Sequence, residues 1–324
     1  MVDLSTKYMG LNLKNPIIIG SCGLVDSVEK IKNLEKHGAA AVVLKSLFEE
    51  QILSEIDSLS GDSNYSEGQE YLSYFTKSHN INKHLDLIRD AKKEVSIPII
   101  ASINCSNADG WTDYAKKIED AGADALELNV FVLPTDVNTS SEEVEKLYFD
   151  IVKNVKKEIT IPFSIKIGSY FSSLAKMVVK LSKTDLAGIV MFNRFFSPDI
   201  DLNTLEIKPS NIFSNSSDLF NTLRWIAILS HQVKCDLVAT NGIHDGAGVV
   251  KSILTGAKAV EVVSAIYQKG PEFIQEMLND ISKWAEENDY TSINDFRGKL
   301  SSSKQENSLI YERAQFMKYF GSYK

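Results

Sequence analysis

Phe163-Ser164-Ile165-Lys166-Ile167 is followed by a helical pattern over 171–182 and then by Ala187-Gly188-Ile189-Val190-Met191-Phe192. A second helical pattern over 217–232 leads to Cys235-Asp236-Leu237-Val238-Ala239-Thr240. A third over 245–255 leads to Ala259-Val260-Glu261-Val262-Val263. Apolar runs of this length read as strands buried on both faces. Strands of that kind alternating with helices make a parallel sheet covered by helices.

The same alternation extends toward the N-terminus. Asp124–Asn129 lies between helical stretches at about 109–121 and 141–158. Before it come Ile97–Ile103, Ala41–Lys45 and Pro16–Gly20, the last followed by a helix from Ser27 to His37 that Gly38 stops. Eight strand-like runs, nearly all followed by a helix, imply an α/β fold of the (β/α)8 TIM-barrel type. A doubly wound open sheet is the competitor. The first turn, Gly20-Ser21-Cys22-Gly23, lacks the G-x-G-x-x-G spacing that sheet often carries. The expectation is one barrel domain over 1–324, with a core of about 15–288 and a helical tail over 289–324. Two polar stretches, 49–79 and 194–216, interrupt the pattern and are expected as long loops on the C-terminal rim, where barrel active sites are built. No repeat beyond the βα unit stands out.

Lys plus Arg number 35 and Asp plus Glu 43, a formal charge of −8. That balance argues against nucleic acid or an anionic membrane as partner, while leaving room for a local phosphate site. Cys22, Cys105 and Cys235 cannot all pair and have no metal-knuckle spacing, which fits a reducing, cytoplasmic setting. The first residues show no secretory signal, and no run of about 18 apolar residues is long enough to span a membrane.

Side chains at the C-terminal ends of barrel strands face the active-site mouth. Those ends read Gly20 and Ser21, Lys45 and Ser46, Asn104, Asn129, Lys166, Asn193, Asn241 and Gly242, then Ser264. A lysine ending a buried strand is costly unless it meets an anion or water. The turns at Gly242 and at Ser264-Ala265, after strands seven and eight, suit a phosphate held on backbone amides, with Asp245 capping the next helix. His37 reads as a helix C-cap and His244 as solvated; His79, His84 and His231 suggest nothing. No spacing indicates a metal, a nucleophile elbow or a Walker loop.

Taken together, Lys45-Ser46, Ala125-Leu126-Glu127-Leu128-Asn129, Ile165-Lys166, Asn193, Thr240-Asn241-Gly242-Ile243 and Ser264-Ala265-Ile266-Tyr267 with Gly270-Pro271 resemble the class 1 dihydroorotate dehydrogenases, over about residues 8 to 285. The resemblance implies bound FMN, a small-molecule substrate and a homodimer. It places Lys166 at the N1–O2 edge of the flavin and Lys45 between flavin and substrate. Ser46 would bond the cofactor, and Gly20, Ser21 and Gly23 would lie against it. Asn129 and Asn193 would bind flavin or substrate, while Asn241, Gly242, Ser264 and Ala265 would form the phosphate turns. The implied activity is oxidation of dihydroorotate to orotate, a step of pyrimidine biosynthesis.

The sequence also departs from that pattern. The family's proton-removing Cys or Ser falls at Val132, and an expected Asn falls at Pro134. The Asn-containing substrate loop is not recognisable between Glu49 and His79. Ser214-Asn215-Ser216-Ser217 replaces a Gly-rich turn, and Asn241 and Val263 stand where glycines are usual. Thr135, Ser140, Ser141 and Cys105 are the nearest alternatives for the missing base. An FMN-dependent oxidoreductase with an altered substrate site follows. Its rivals are a barrel aldolase or isomerase with Lys166 as Schiff-base lysine and a noncatalytic flavin- or phosphate-binding barrel.

Overall fold

The computed structural model describes residues 2–48, 66–104, 108–305 and 308–312. The chain opens with an antiparallel hairpin, β1 (Thr6–Tyr8) and β2 (Leu11–Leu13). Then come β3 (Ile17–Ile19), β4 (Ala41–Val43), the two-residue β5 (Leu47–Phe48), β6 (Ile99–Asn104), β7 (Ala125–Asn129), β8 (Phe163–Ile167) and β9 (Gly188–Met191). A rim hairpin, β10 (Pro198–Asp201) and β11 (Glu206–Pro209), precedes β12 (Asp236–Ala239) and β13 (Ala259–Val262). Parallel pairing runs β3–β4–β6–β7–β8–β9–β12–β13 and returns from β13 to β3, so eight strands close a barrel.

Alternation along each strand sorts its side chains into two regions. Leu126, Leu128, Ile165, Val260 and Val262 join the core between barrel and helices. Ile18, Val43, Ile100, Ala125, Val190, Val238 and Ala259 face inward and pack on Tyr8, Met9 and Leu13, so the β1–β2 hairpin plugs the barrel floor. By the same register Glu127, Ser164, Lys166 and Glu261 point inward, one layer nearer the mouth.

The outer helices are α1 (Val28–Lys36), α2 (Ser66–Glu94), α3 (Ala108–Asp120), α4 (Ser141–Glu158), α5 (Leu174–Leu181), α6 (Leu219–Leu229), α7 (Gly246–Thr255), α8 (Ser264–Lys269), α9 (Phe273–Glu287) and α10 (Ile293–Phe296). Ser140 and Glu143 form a capping box on α4, and Asp245 caps α7 through the Gly248 amide. His37 is the C-cap of α1, as its place before Gly38 suggested.

The two interrupting stretches are more regular than the sequence implies. Residues 66–79 are not loop but the first half of α2, and 49–65 lie outside the described residues. Ile81, Leu85, Ile88 and Ala91 anchor the second half in the core. A helix nucleated there extends at little cost into a segment with no apolar period of its own. Within 194–216 the chain forms the β10–β11 hairpin rather than plain loop.

A carboxylate clamp occurs twice. Glu35, near the end of α1, accepts from the Ser96 amide (2.7 Å), the Ser96 hydroxyl (2.6 Å) and the Ile97 amide (3.2 Å) just before β6. Glu119, near the end of α3, accepts from the Thr160 amide (2.7 Å), the Thr160 hydroxyl (2.6 Å) and the Ile161 amide (3.1 Å) just before β8. Each clamp ties one helix to the entrance of a strand farther round the barrel. At the chain's other end, Asp3 exchanges backbone bonds with Thr291 and Ile293. Among the described residues, no helix is long and apolar enough to cross a membrane.

Candidate active site

A cavity of about 470 Å³ opens at the C-terminal ends of the strands. Ser21, Lys45, Ser46, Asn129 and Lys166 line it, as do Asn193, Asn241, Gly242 and Ser264. Nine residues singled out from the strand ends therefore converge on one space. Gly20 lies just beneath, where an added Cβ would come within 3.0 Å of Val263 and 3.2 Å of Glu261. Gly23 and Ala265 stand back from the cavity: the Gly23 amide donates to the Tyr267 hydroxyl at 2.8 Å, and Ala265 is fully buried.

Lys166 defines the floor. Its Nζ donates to Glu261 Oε2 at 2.6 Å and lies 3.9 Å from Glu127 Oε1. Both carboxyls are buried, and Glu261 Oε1 and both Glu127 oxygens have no hydrogen-bond partner. Burial alone would lower the Lys166 ammonium, but the charges of Glu261 and Glu127 outweigh it and hold it above its ordinary value. Burial, reinforced by Glu261, pushes Glu127 well above the usual carboxylate range despite the opposing pull of Lys166.

Hydroxyls line the adjoining wall. Ser21 Oγ and Ser46 Oγ are 3.0 Å apart, Ser46 Oγ and Ser102 Oγ are 2.7 Å apart, and the Ser46 amide donates to Ser21 Oγ. Asn129 Oδ1 is buried without a partner at the end of β7. Asn193 donates to the Lys166 carbonyl and Asn241 to the Phe192 carbonyl, which fixes both amide planes. Cys22 also lines the cavity; burial pushes its thiol up.

The turn after β12 is tightly built. Asn241 (φ 70°) and Gly242 (φ 69°) both adopt the left-handed conformation. A Cβ on Gly242 would sit among the Leu219 amide, the Asn215 carbonyl and Asp218, so only glycine fits. The turn therefore abuts the first residue of α6, whose amides form a cationic helix end. Ser264 Oγ accepts from the Ser214 amide at 3.1 Å. His244 is not simply solvated: its Nε2 lies 3.0 Å from Ser214 Oγ, because the 210–216 segment folds back onto this turn.

The 194–212 segment forms one wall. Arg194 donates to the carbonyls of Asn211 and Ile212, tying both ends of the segment together. Phe195 stacks against Phe131 at 4.1 Å and meets Tyr170 edge-on at 4.5 Å. Arg194, Phe195, Glu127 and Glu261 are site residues that sequence reasoning did not single out. For the two acids a signal existed, an acidic residue at an inward register of an apolar strand.

Val132 does not line the cavity and packs against the outer core. Thr135, Ser140 and Ser141 are exposed and also lie outside it, and Cys105 falls outside the described residues. Among the described residues no cluster of His, Cys, Asp and Glu could hold a metal ion.

Comparison with known proteins agrees with this geometry. Residues 76–284 match the family model described as dihydroorotate dehydrogenase. The chain is 25% identical over 310 residues to the protein named dihydroorotate dehydrogenase B (NAD(+)), catalytic subunit, of Thermoplasma volcanium, covering 92% of this chain and 98% of that one. It is 25% identical over 308 residues to the protein of the same name from Pyrococcus furiosus, covering 92% and 98%. It is also 23% identical over 318 residues to the NAD-dependent dihydropyrimidine dehydrogenase subunit PreA of Escherichia coli K12, covering 91% of this chain and 76% of that one.

Proposed function

The chain belongs to the dihydroorotate dehydrogenase family and is a flavin-dependent oxidoreductase of CH–CH bonds, and from that premise we propose that it binds FMN noncovalently across the barrel mouth and acts on a dihydropyrimidine-type ring other than dihydroorotate. The observation that carries the reading is the convergence of Lys45, Ser46, Asn129, Lys166, Asn193 and Gly242 on one cavity. The residues fit the cofactor. The orphaned Asn129 Oδ1 suits a ring N–H, and Gly242 and Ser264 line the cavity beside the first amide of α6, a setting that suits a phosphate.

In this reading Gly242, Ser264 and the first amides of α6 hold the phosphate. Ser21 and Ser46, locked by their own hydroxyl chain, meet the polar edge of the ring, and Lys166 keeps a cation beside it. Bound flavin supplies the hydride chemistry. Lys45 orients the substrate from the exposed rim, and the Phe131–Phe195–Tyr170 cluster helps exclude water. Val132 holds no proton and faces away, so proton removal by the family's usual position does not operate here. Any dihydropyrimidine must lose a second proton, so the ring class is the one the names of the relatives share, and it is the departures at Val132 and Pro134 together that set this site apart from one built for dihydroorotate. A homodimer and a cytoplasmic location belong to the same reading.

Lys166 as a Schiff-base nucleophile is disfavoured. An amine must be unprotonated to attack a carbonyl, and Glu261 holds this one as an ammonium. The test is reconstitution with excess FMN, then anaerobic titration with a panel of dihydropyrimidines. A flavin spectrum that bleaches with one of them supports the reading. Protein that stays colourless after incubation with FMN refutes it, and sedimentation gives the oligomeric state.

A further inference from the structure

Three ionisable groups meet under the cavity floor, and their charges do not balance. Lys166 brings one positive charge, while Glu127 and Glu261 bring two carboxyls. Only Glu261 Oε2 has a hydrogen-bond partner, the ammonium at 2.6 Å. The remaining three carboxyl oxygens are buried without one. A second ionised carboxylate in that space would be an unpaired buried charge, which proteins avoid by protonating the group.

The other groups facing the cluster do not change this. Below it stand the hydroxyls of Tyr8 on the floor hairpin and Ser164 on β8, both buried without a partner. Asp236 on β12 acts on Tyr8 rather than on the cluster and accepts from the Met9 amide. From above come Cys22 and the exposed Lys45. Among the described residues no second cation pairs with either glutamate.

We infer that Glu127 and Glu261 hold one proton between them, and that this pair with Lys166 is a charge-neutral proton store beneath the cavity. Glu261, in contact with the ammonium, carries the negative charge, and Glu127 carries the proton. The pair acts as a positioning element: it works through Lys166. Its role in turnover rests on the flavin reading, but the shared proton does not.

Oxidation of a CH–CH bond would send two electrons and one proton as hydride to bound flavin, while the second proton leaves the substrate to solvent water. Negative charge then accumulates beside Lys166 and competes with Glu261 for the ammonium. The carboxyl pair takes up a proton from solvent, so the site gains two protons per electron pair rather than one. Removing both carboxyls together with Lys166→Arg, a cation that burial does not neutralise, leaves no group in the cluster to bind the second proton.

Two measurements test this. The first uses flavin-free protein labelled with 13C at the glutamate carboxyls. An isotope-sensitive infrared band of a protonated carboxylic acid is expected at neutral pH. It should be lost in Glu127→Gln and in Glu261→Gln, because one remaining carboxylate pairs with Lys166. Its absence from the wild-type protein overturns the inference whatever the fate of the flavin reading. The second measures the flavin midpoint potential across roughly pH 7.5 to 9, where the free reduced flavin exchanges a single proton. Each proton taken up with two electrons changes the equilibrium tenfold per pH unit, about 30 mV. The wild-type protein should follow a hundredfold change per pH unit and the Lys166→Arg/Glu127→Gln/Glu261→Gln variant a tenfold one. Equal slopes in the two proteins overturn the proton-storing role even if the infrared band is present. A protein that takes up no FMN refutes the functional reading alone and leaves the infrared result to decide the shared proton.

Discussion

Replacing Lys166 with Met removes the one cation from the cluster and leaves its shape almost filled. Lys166 is 13% exposed and its two carboxyl partners at most 1%, so solvent cannot take over the lost contact. Breaking a buried pair in this way costs about 3–5 kcal/mol at neutral pH. The two stranded carboxyls escape the full cost by taking up protons, and that fixes the sign of the pH dependence. Folded Lys166→Met protein holds protons that the unfolded chain, titrating near about 4.3, has released. Its stability therefore falls as pH rises above that value, by up to about 1.4 kcal/mol per unit for each carboxyl forced to stay protonated. Urea unfolding at about pH 5 and about pH 8 reads this directly, with the penalty small at the lower pH and largest at the higher. Adding Glu261→Gln should recover much of the loss at high pH. A penalty below about 1 kcal/mol, equal at both pH values, is the behaviour of a solvated surface pair and would refute the account of the cluster. The same variant should slow flavin reduction roughly 10²–10³-fold, the usual loss for one electrostatic contact to developing charge.

Gly242→Ala places a methyl group against the Leu219 amide in a left-handed turn; FMN content should fall to background, with a stability loss of about 1–3 kcal/mol by denaturant midpoint. Burial would raise Glu119, but the bonds from Thr160, Lys116 and the Ile161 amide outweigh it and pull it down to about 2. That clamp stabilises above the ordinary carboxylate value and is lost as pH falls toward 2, so Glu119→Gln should flatten the acid limb of the stability curve measured by circular dichroism. Dihydroorotate should reduce the bound flavin at well under ~1 s⁻¹ in anaerobic stopped flow, since a missing general base costs about 10²–10⁴ in rate; bleaching at ordinary enzyme rates would refute this.

The barrel could be read because its strands are apolar on both faces, which leaves runs such as Ile17-Ile18-Ile19 and Gly188-Ile189-Val190-Met191 with few alternatives. Strand ends then placed Lys45, Asn129, Lys166, Asn193 and Asn241 at the mouth, where the structure has them. Helix α2 was hidden because residues 66–79 carry no apolar period; its stability comes from tertiary anchoring further along. Glu127 and Glu261 looked like interruptions of apolar strands, and only the closed barrel brings both to Lys166. The paired clamps of Glu35 and Glu119 were illegible for a similar reason. Ser96-Ile97-Pro98 and Thr160-Ile161-Pro162 are alike in sequence, but their partners lie on helices far back along the chain.

Closure of the barrel joins its first strand to its last, Ile17 opposite Val260 and Ile19 opposite Val262. On a ribosome making roughly 5–20 residues per second, β3 waits on the order of tens of seconds for that neighbour to be synthesised. During the wait one edge of β3 is unpaired, and unpaired strand edges invite association between chains. The floor hairpin meanwhile has no complete ring to plug. Lys166 and Glu127 emerge early enough to find each other, and Glu261 arrives nearly last, on the strand that completes the ring. Assembly of the cluster and closure of the barrel are thus a single late event in the life of the nascent chain, and a chain released before Glu261 would carry most of the cavity's side chains but neither the third member of the cluster nor a sealed wall.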